Sequence, residues 1–289
     1  LPAIRIMEHT RVRCNGLTLH VVECGEGEPV VLLHGFPEFW YSWRHQLPAL
    51  AAAGYRAIAP DLRGYNLSER PTGVAAYRTR ELVADVADLI ATVAGGRAYV
   101  VGHDWGGVIA WRLAAQQPEL VEKLVILNAP HPAAYRGVLA RHPSQWLRSW
   151  YVGLFQLPWL PERLIAARDF ALLARTLRRA PHNPNAFTDD DLALYKTAFR
   201  QPGALTAALN YYRAALRFPG DLYRDPQTIE APTLVVWGDH DPFLSRRLSE
   251  GLERWAPNLR VVHLAEAAHF VQNESPERVN QELIEFLAE

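Results

Sequence analysis

The sequence predicts an α/β fold: a mostly parallel, eight-stranded sheet flanked by helices, with a helical segment inserted between two of its strands. Three observations lead there. Short, wholly apolar runs recur at residues 30–33, 57–59, 99–101, 124–127, 234–237 and 261–264. Runs of this length are too short for buried helices and suit strands covered on both faces. Stretches with helical apolar spacing alternate with them, which is the pattern of a parallel sheet. Between residues 131 and 229 the rhythm stops.

Taken in order, residues 4–13 and 17–23 flank Asn15-Gly16, a turn pair suited to a two-residue hairpin, and read as two strands added at one sheet edge. The runs at 30–33 and 57–59 follow. Residues 81–93 place Leu82, Val86, Leu89, Ile90 and Val93 on one helical stripe. The run at 99–101 leads through a glycine-rich turn into a helix over 108–116, and 124–127 is the next strand. Residues 131–229 hold helix-like pieces and aromatics, broken by prolines such as Pro158, Pro181 and Pro202, with no clear buried strand. This divides the chain into a core of residues 1–130 and 230–289 and a helical cap of residues 131–229. The runs at 234–237 and 261–264 complete the sheet. A last helix opens at Pro276 behind Ser275 and carries Val279, Leu283 and Leu287 at helical spacing.

Composition narrows the function. The 289 residues are 49% apolar and 21% charged, which excludes wholesale disorder. Basic and acidic residues balance to a net charge of −1, so no global field attracts nucleic acid or an anionic membrane. No run approaches the roughly 20 apolar residues that span a bilayer. Residues 1–7 lack the apolar segment of a secretory signal. Cys14 and Cys24 form no metal framework, and a chain of this size needs no disulfide. Two free thiols in a reducing, cytoplasmic compartment are expected, with neither cofactor nor metal. The arginine pairs at 178–179 and 246–247 read as solvated charges.

The most informative segment is Gly102-His103-Asp104-Trp105-Gly106, set between a strand and a helix. This is the G-x-nucleophile-x-G elbow with Asp in the central place. Small flanking residues are needed because the central one sits in a strained turn against neighbouring elements. A helix N-cap aspartate would give the same residue, but not the flanking glycines. His34-Gly35-Phe36-Pro37 follows the strand 30–33, and in folds with such an elbow this loop is expected to supply the Phe36 N–H to an oxyanion hole whose other donor is the Trp105 N–H. An acid and a histidine should follow the nucleophile in chain order. Asp241 lies after the strand 234–237 and His269 after 261–264. Asp239 is the rival acid, but Asp241 lies further into the loop. His103 reads as a packed neighbour of the elbow. His34, Pro37, Trp105 and Phe270 read as substrate-pocket residues, with His34 bonding to its own loop.

Together these segments resemble the α/β-hydrolase family, and more narrowly its epoxide hydrolases. The matching motifs run over most of the chain: residues 34–44, Asp61-Leu-Arg-Gly-Tyr65 with Ser68, residues 102–107, residues 237–241 and His269. The resemblance implies two cap tyrosines that hold the epoxide oxygen. The segments 149–156 and 209–213 match the cap motifs, which implicates Tyr151 and Tyr212, with Tyr211 the register alternative and otherwise packed in the cap. The implied reaction converts an epoxide and water to a vicinal diol through an ester on Asp104. His269 is then the general base, oriented by Asp241. Where the related pattern has a second glycine, this chain has Asn66, which tolerates left-handed backbone.

The nearest alternative is a haloalkane or haloacid dehalogenase, which shares an Asp nucleophile. Against it stand Phe36, where haloalkane dehalogenases carry Asn, and Trp105, where fluoroacetate dehalogenases carry Arg. Arg112 reads as a surface or cap contact. A non-catalytic small-molecule binder on the same fold is disfavoured because Asp104, Asp241 and His269 are all present. The aromatics Trp146, Trp150, Phe155 and Trp159 suggest an apolar pocket or a cap core. The expected partners are a small apolar epoxide and water, with the chain a monomer or homodimer and without nucleic acid or a membrane span.

Overall fold

The computed structural model describes residues 7–223 and 228–289. The expected start of the first strand at residue 4 lies outside the described residues. One sheet runs through the molecule in the order β1-β2-β4-β3-β5-β6-β7-β8. Its strands are β1 (Glu8–Cys14), β2 (Leu17–Cys24), β3 (Glu28–Leu33), β4 (Tyr55–Pro60), β5 (Ala98–His103), β6 (Val121–Leu127), β7 (Thr233–Gly238) and β8 (Leu259–Leu264). β1 and β2 pair antiparallel, as do β2 and β4, while every later neighbour is parallel. Asn15 and Gly16 both take positive φ, 47° and 75°, as the tight β1–β2 turn demands.

The apolar runs became strands because both sheet faces are covered. Along β3, Val31 and Leu33 pack into one layer and Val30 and Leu32 into the other. All four are fully buried, which stabilises the fold by about 1.5–3 kcal/mol apiece. One face is covered by α1 (Gln46–Ala52) through Leu47 and Leu50, and by the C-terminal helix through Val279 and Leu283. The other is covered by α2 (Thr79–Val93) and α3 (Trp105–Gln116) through Val86, Leu89, Ile109 and Leu113.

Between β6 and β7 stand, among the described residues, seven helices: α4 (Pro132–Arg141), α5 (Pro143–Arg148), α6 (Trp150–Leu154), α7 (Leu160–Arg179), α8 (Asp189–Arg200), α9 (Ala204–Arg217) and α10 (Pro219–Tyr223). Two more, α11 (Val271–Glu274) and α12 (Pro276–Ala288), follow β8. The best-capped helix of the insertion is α8, where Thr188 and Asp191 form a reciprocal capping box. No helix among the described residues is long and apolar enough to cross a membrane. Cys14 and Cys24 are buried and unbridged.

Candidate active site

The turn from β5 into α3 sets the centre of the site. Asp104 has φ 49° and ψ −119°, a conformation costly for any residue with a side chain. The neighbouring glycines make room for it. A Cβ on Gly102 would lie 2.5 Å from the Gly106 carbonyl oxygen, and one on Gly106 would lie 2.1 Å from the Leu33 carbonyl oxygen. A Cβ on Gly35 would strike Asp104 itself at 2.3 Å. Backbone space, not side-chain chemistry, therefore requires glycine at all three positions.

The Asp104 carboxylate has two unlike oxygens. Oδ1 accepts a hydrogen bond from the Phe36 N–H at 2.8 Å. Oδ2 faces His269 Nε2 at 3.8 Å, beyond hydrogen-bond reach. Trp105 opens α3, so its N–H belongs to the first helical turn, where backbone donors lack helical partners.

Behind His269, Nδ1 meets Asp241 Oδ2 at 2.8 Å. Asp241 is buried and fully engaged. Its Oδ2 also accepts from Asn128 Nδ2 at 2.7 Å, and its Oδ1 accepts from the Phe243 and Leu244 N–H groups at 2.7 and 2.9 Å. Burial alone would raise the Asp241 carboxyl, but the His269 charge and these hydrogen bonds hold it below its ordinary value. Asp239 instead pairs with His263 at 2.7 Å, away from His269. Burial works to lower the His269 pKa. The Asp241 charge and hydrogen bond, and then the Asp104 charge, outweigh it and raise the ring to about 9.

Tyr151 and Tyr212 reach the same place from the insertion, their rings edge to face with centroids 6.0 Å apart. Both hydroxyls are held well above the usual phenol range, first by burial and then by the Asp104 charge, so both stay protonated. Tyr211 points elsewhere and donates to the Arg63 carbonyl oxygen at 2.8 Å. Two apolar cavities meet at Asp104, Tyr151 and Tyr212. One, lined by Phe36, Pro37, His269 and Phe270, encloses about 900 Å³ with its opening. The other, beside Trp105, Tyr135 and Tyr223, spans about 670 Å³, its opening again included.

Some expectations are corrected. His34 does not line either cavity. Its side chain turns under the loop and is fully buried, with Nδ1 on the Gly35 carbonyl oxygen and Nε2 accepting from the Leu62 N–H. Arg112 is a buried residue rather than a surface contact, because α3 is enclosed on nearly all sides. Trp146 and Trp159 stand in solvent, part of neither cavity nor cap core, while Trp150 and Phe155 do line the larger cavity. Asn66 takes φ 39°, as expected for its turn, and donates to Asp61 Oδ2 at 2.8 Å.

Sequence reasoning missed three supports. Asn128 steadies Asp241. Glu38 meets His103 Nδ1 at 2.6 Å, and His103 Nε2 donates to the His269 carbonyl oxygen at 2.9 Å. The third is Glu274, whose Oε1 accepts from the Phe270 N–H and whose Oε2 accepts from the Ala268 N–H, both at 2.9 Å. It thus holds the backbone on both sides of His269. The same Oε2 accepts from the His182 N–H of the insertion at 2.6 Å. Burial raises the Glu274 carboxyl against these three backbone contacts. Only its place five residues after His269 could have drawn attention to it.

Comparison with known proteins agrees with this architecture. Residues 28–276 match the α/β hydrolase fold family, and the chain belongs to it. A Bacillus subtilis protein described as AB hydrolase superfamily protein YfhM is 45% identical over 96% of both chains. Human epoxide hydrolase 4 is 37% identical, and the match spans all of this chain and 80% of that protein. A point mutant of an epoxide hydrolase from Bacillus megaterium superposes with a TM-score of 0.89 at 33% identity, over 97% of this chain and all of that one. Within its family the chain is a hydrolase of the epoxide hydrolase group.

Proposed function

We propose that this hydrolase adds water to an apolar epoxide to give a vicinal diol, through a covalent ester on Asp104. The observation that supports the reading most is the asymmetry of Asp104. One oxygen rests on the Phe36 N–H, and the other is free, facing His269 beneath two protonated tyrosines.

Asp104 Oδ2 attacks a ring carbon and the carbon–oxygen bond breaks. Tyr151 and Tyr212 hydrogen-bond the departing oxygen, and one gives it a proton, which a poor alkoxide leaving group requires. In the free enzyme the His269 ring carries a proton, stabilised by Asp241 and Asp104. Alkylation turns the Asp104 carboxylate into a neutral ester and removes one of those charges. The ring then releases its proton, which restores the tyrosine, and becomes a base. It takes a proton from water, and the hydroxide attacks the ester carbonyl carbon. The oxyanion forms on Oδ1, served by the Phe36 and Trp105 N–H groups. Collapse expels the diol oxygen, which takes the proton back from His269. No step calls for a cofactor or metal.

In this reading residues 1–130 and 230–289 form the catalytic core, and residues 131–229 the cap that supplies both tyrosines. Pro37, Trp105 and Phe270 line the substrate space. Every group comes from one chain, so a monomer or a homodimer suffices. The two buried, unbridged cysteines support a cytoplasmic setting. The test is a panel of aryl and alkyl epoxides scored for diol, with Asp104→Ala as the blank. Diol from the intact protein and none from the variant is expected. No diol, with halide released from a haloalkane instead, would overturn the reading in favour of a dehalogenase.

A further inference from the structure

Of the ten large apolar side chains that stand exposed among the described residues, seven lie between Trp146 and Leu172. Trp146, Leu147, Trp150 and Trp159 are 61–77% exposed. Scattered exposed leucines are normal on a soluble surface, but a cluster of this kind marks a contact site. Three of the seven, Trp150, Leu164 and Leu172, also line the larger cavity, so the patch forms its mouth.

Charge is concentrated in the same segment. Residues 132–179 contain eight arginines against Glu162 and Asp169 alone, a net +6 in a chain whose total is −1. All eight arginines are exposed. Both local acids are committed to cations outside the segment, Glu162 to Arg213 and Asp169 to Lys196 and Arg200, while one of the eight arginines, Arg178, pairs with Asp189 from outside it. Arg163 lies over the Trp159 ring, 4.9 Å from its centroid.

We propose that this face docks on an anionic lipid surface, with the cavity mouth turned toward the bilayer. Tryptophans and leucines enter the boundary between headgroups and acyl chains, where amphipathic rings are favoured, while the arginines meet lipid phosphates. A second copy of the chain is the poorer occupant. A two-fold contact would press this surface against itself and bring like charges together without an anion to compensate them. Docking in this orientation gives an apolar ligand a path from lipid into the cavity without crossing water. The overall charge balance conceals the site, because the surplus of arginine is confined to one segment.

The test is co-sedimentation of the whole protein with vesicles of phosphatidylcholine alone and with about 30 mol % phosphatidylglycerol. Binding to the anionic vesicles is expected, weakened by salt, with little binding to the neutral ones. The triple variant Trp146→Ser, Leu147→Ser, Trp159→Ser, which spares the cavity lining, should bind at least about tenfold less. The variant Arg141→Glu, Arg163→Glu, Arg175→Glu should lose the salt-sensitive part and serves if the first does not fold. Absence of binding at low salt, or equal binding by both variants, overturns the proposal. A dimer in sedimentation equilibrium that either variant converts to monomer would show that the face pairs with its own copy.

Discussion

The two oxygens of Asp104 are chemically equivalent in water and unlike here. Two consequences can be measured. Removing the carboxylate charge 3.8 Å from Nε2 removes one of the influences that raise His269. In Asp104→Asn the imidazole should therefore titrate below about 9, as followed by its ring-proton resonances. An unchanged titration would mean that Asp104 does not set the protonation of the base. Second, on the proposed mechanism Oδ1 stays on the Phe36 N–H while Oδ2 departs with the diol. With enzyme in excess in ¹⁸O water, the first diol should be unlabelled, and label should appear in the second. Label in the first diol would exclude the ester. Asp104, Asp241 and His269 were legible in the sequence because each follows an apolar run in a required order. Asn128 was not, nor were the partners of His103, since these contacts span 113 and 166 residues. His34 was misplaced because adjacency to Phe36 says nothing about which way a side chain turns.

The strands and the main helices were visible at the scale of elements because covered parallel strands leave an unbroken apolar signature. Connections were harder to read, as Glu274 at the end of α11 shows. Its carboxylate gathers the Ala268, Phe270 and His182 amides, so a four-residue helix fixes the loop that carries His269 and ties it to the insertion. Glu274→Gln places an amide N–H₂ where only acceptors fit. Loss of base alignment should slow ester hydrolysis by about 10–100-fold while ester formation changes much less, as seen by rapid quench and mass measurement of the alkylated protein. Equal slowing of both steps would show a general structural role instead. The insertion also grips the acid loop. Gln145 donates to the Phe243 carbonyl oxygen at 2.8 Å, and Arg148 donates to the Asp241 carbonyl oxygen at 2.5 Å.

Across the whole molecule, Glu38 joins regions far apart in the chain. It accepts from the Ser42 hydroxyl at 2.6 Å and from Gln272 Nε2 at 3.0 Å, and it meets His103 at 2.6 Å. Burial would raise its carboxyl, yet the His103 charge and these hydrogen bonds pull it to about 2, below an ordinary value of 4.5. A carboxylate depressed in the folded state adds stability above its unfolded value, and loses it as pH falls toward the folded one. The difference in melting temperature between wild type and Glu38→Gln should thus be full above about pH 5 and shrink below about pH 4.5. A difference that stays constant down to acid unfolding would overturn this account. None of it was legible in sequence, where Glu38 is one acidic residue among 31.

The strand order has a consequence in time. The ribosome makes Asp104 first, then Tyr151 and Tyr212, then Asp241, and His269 last of these five. A nascent chain that has passed β6 holds the elbow but neither the phenols nor the imidazole, and one that has passed β7 still lacks the imidazole. On the proposed mechanism, chains that end between β7 and β8 would therefore be single-use at most, able to capture an electrophile but not to let it go. On the same mechanism, repeated turnover would begin only after β8 has paired with β7 and carried the last group into place.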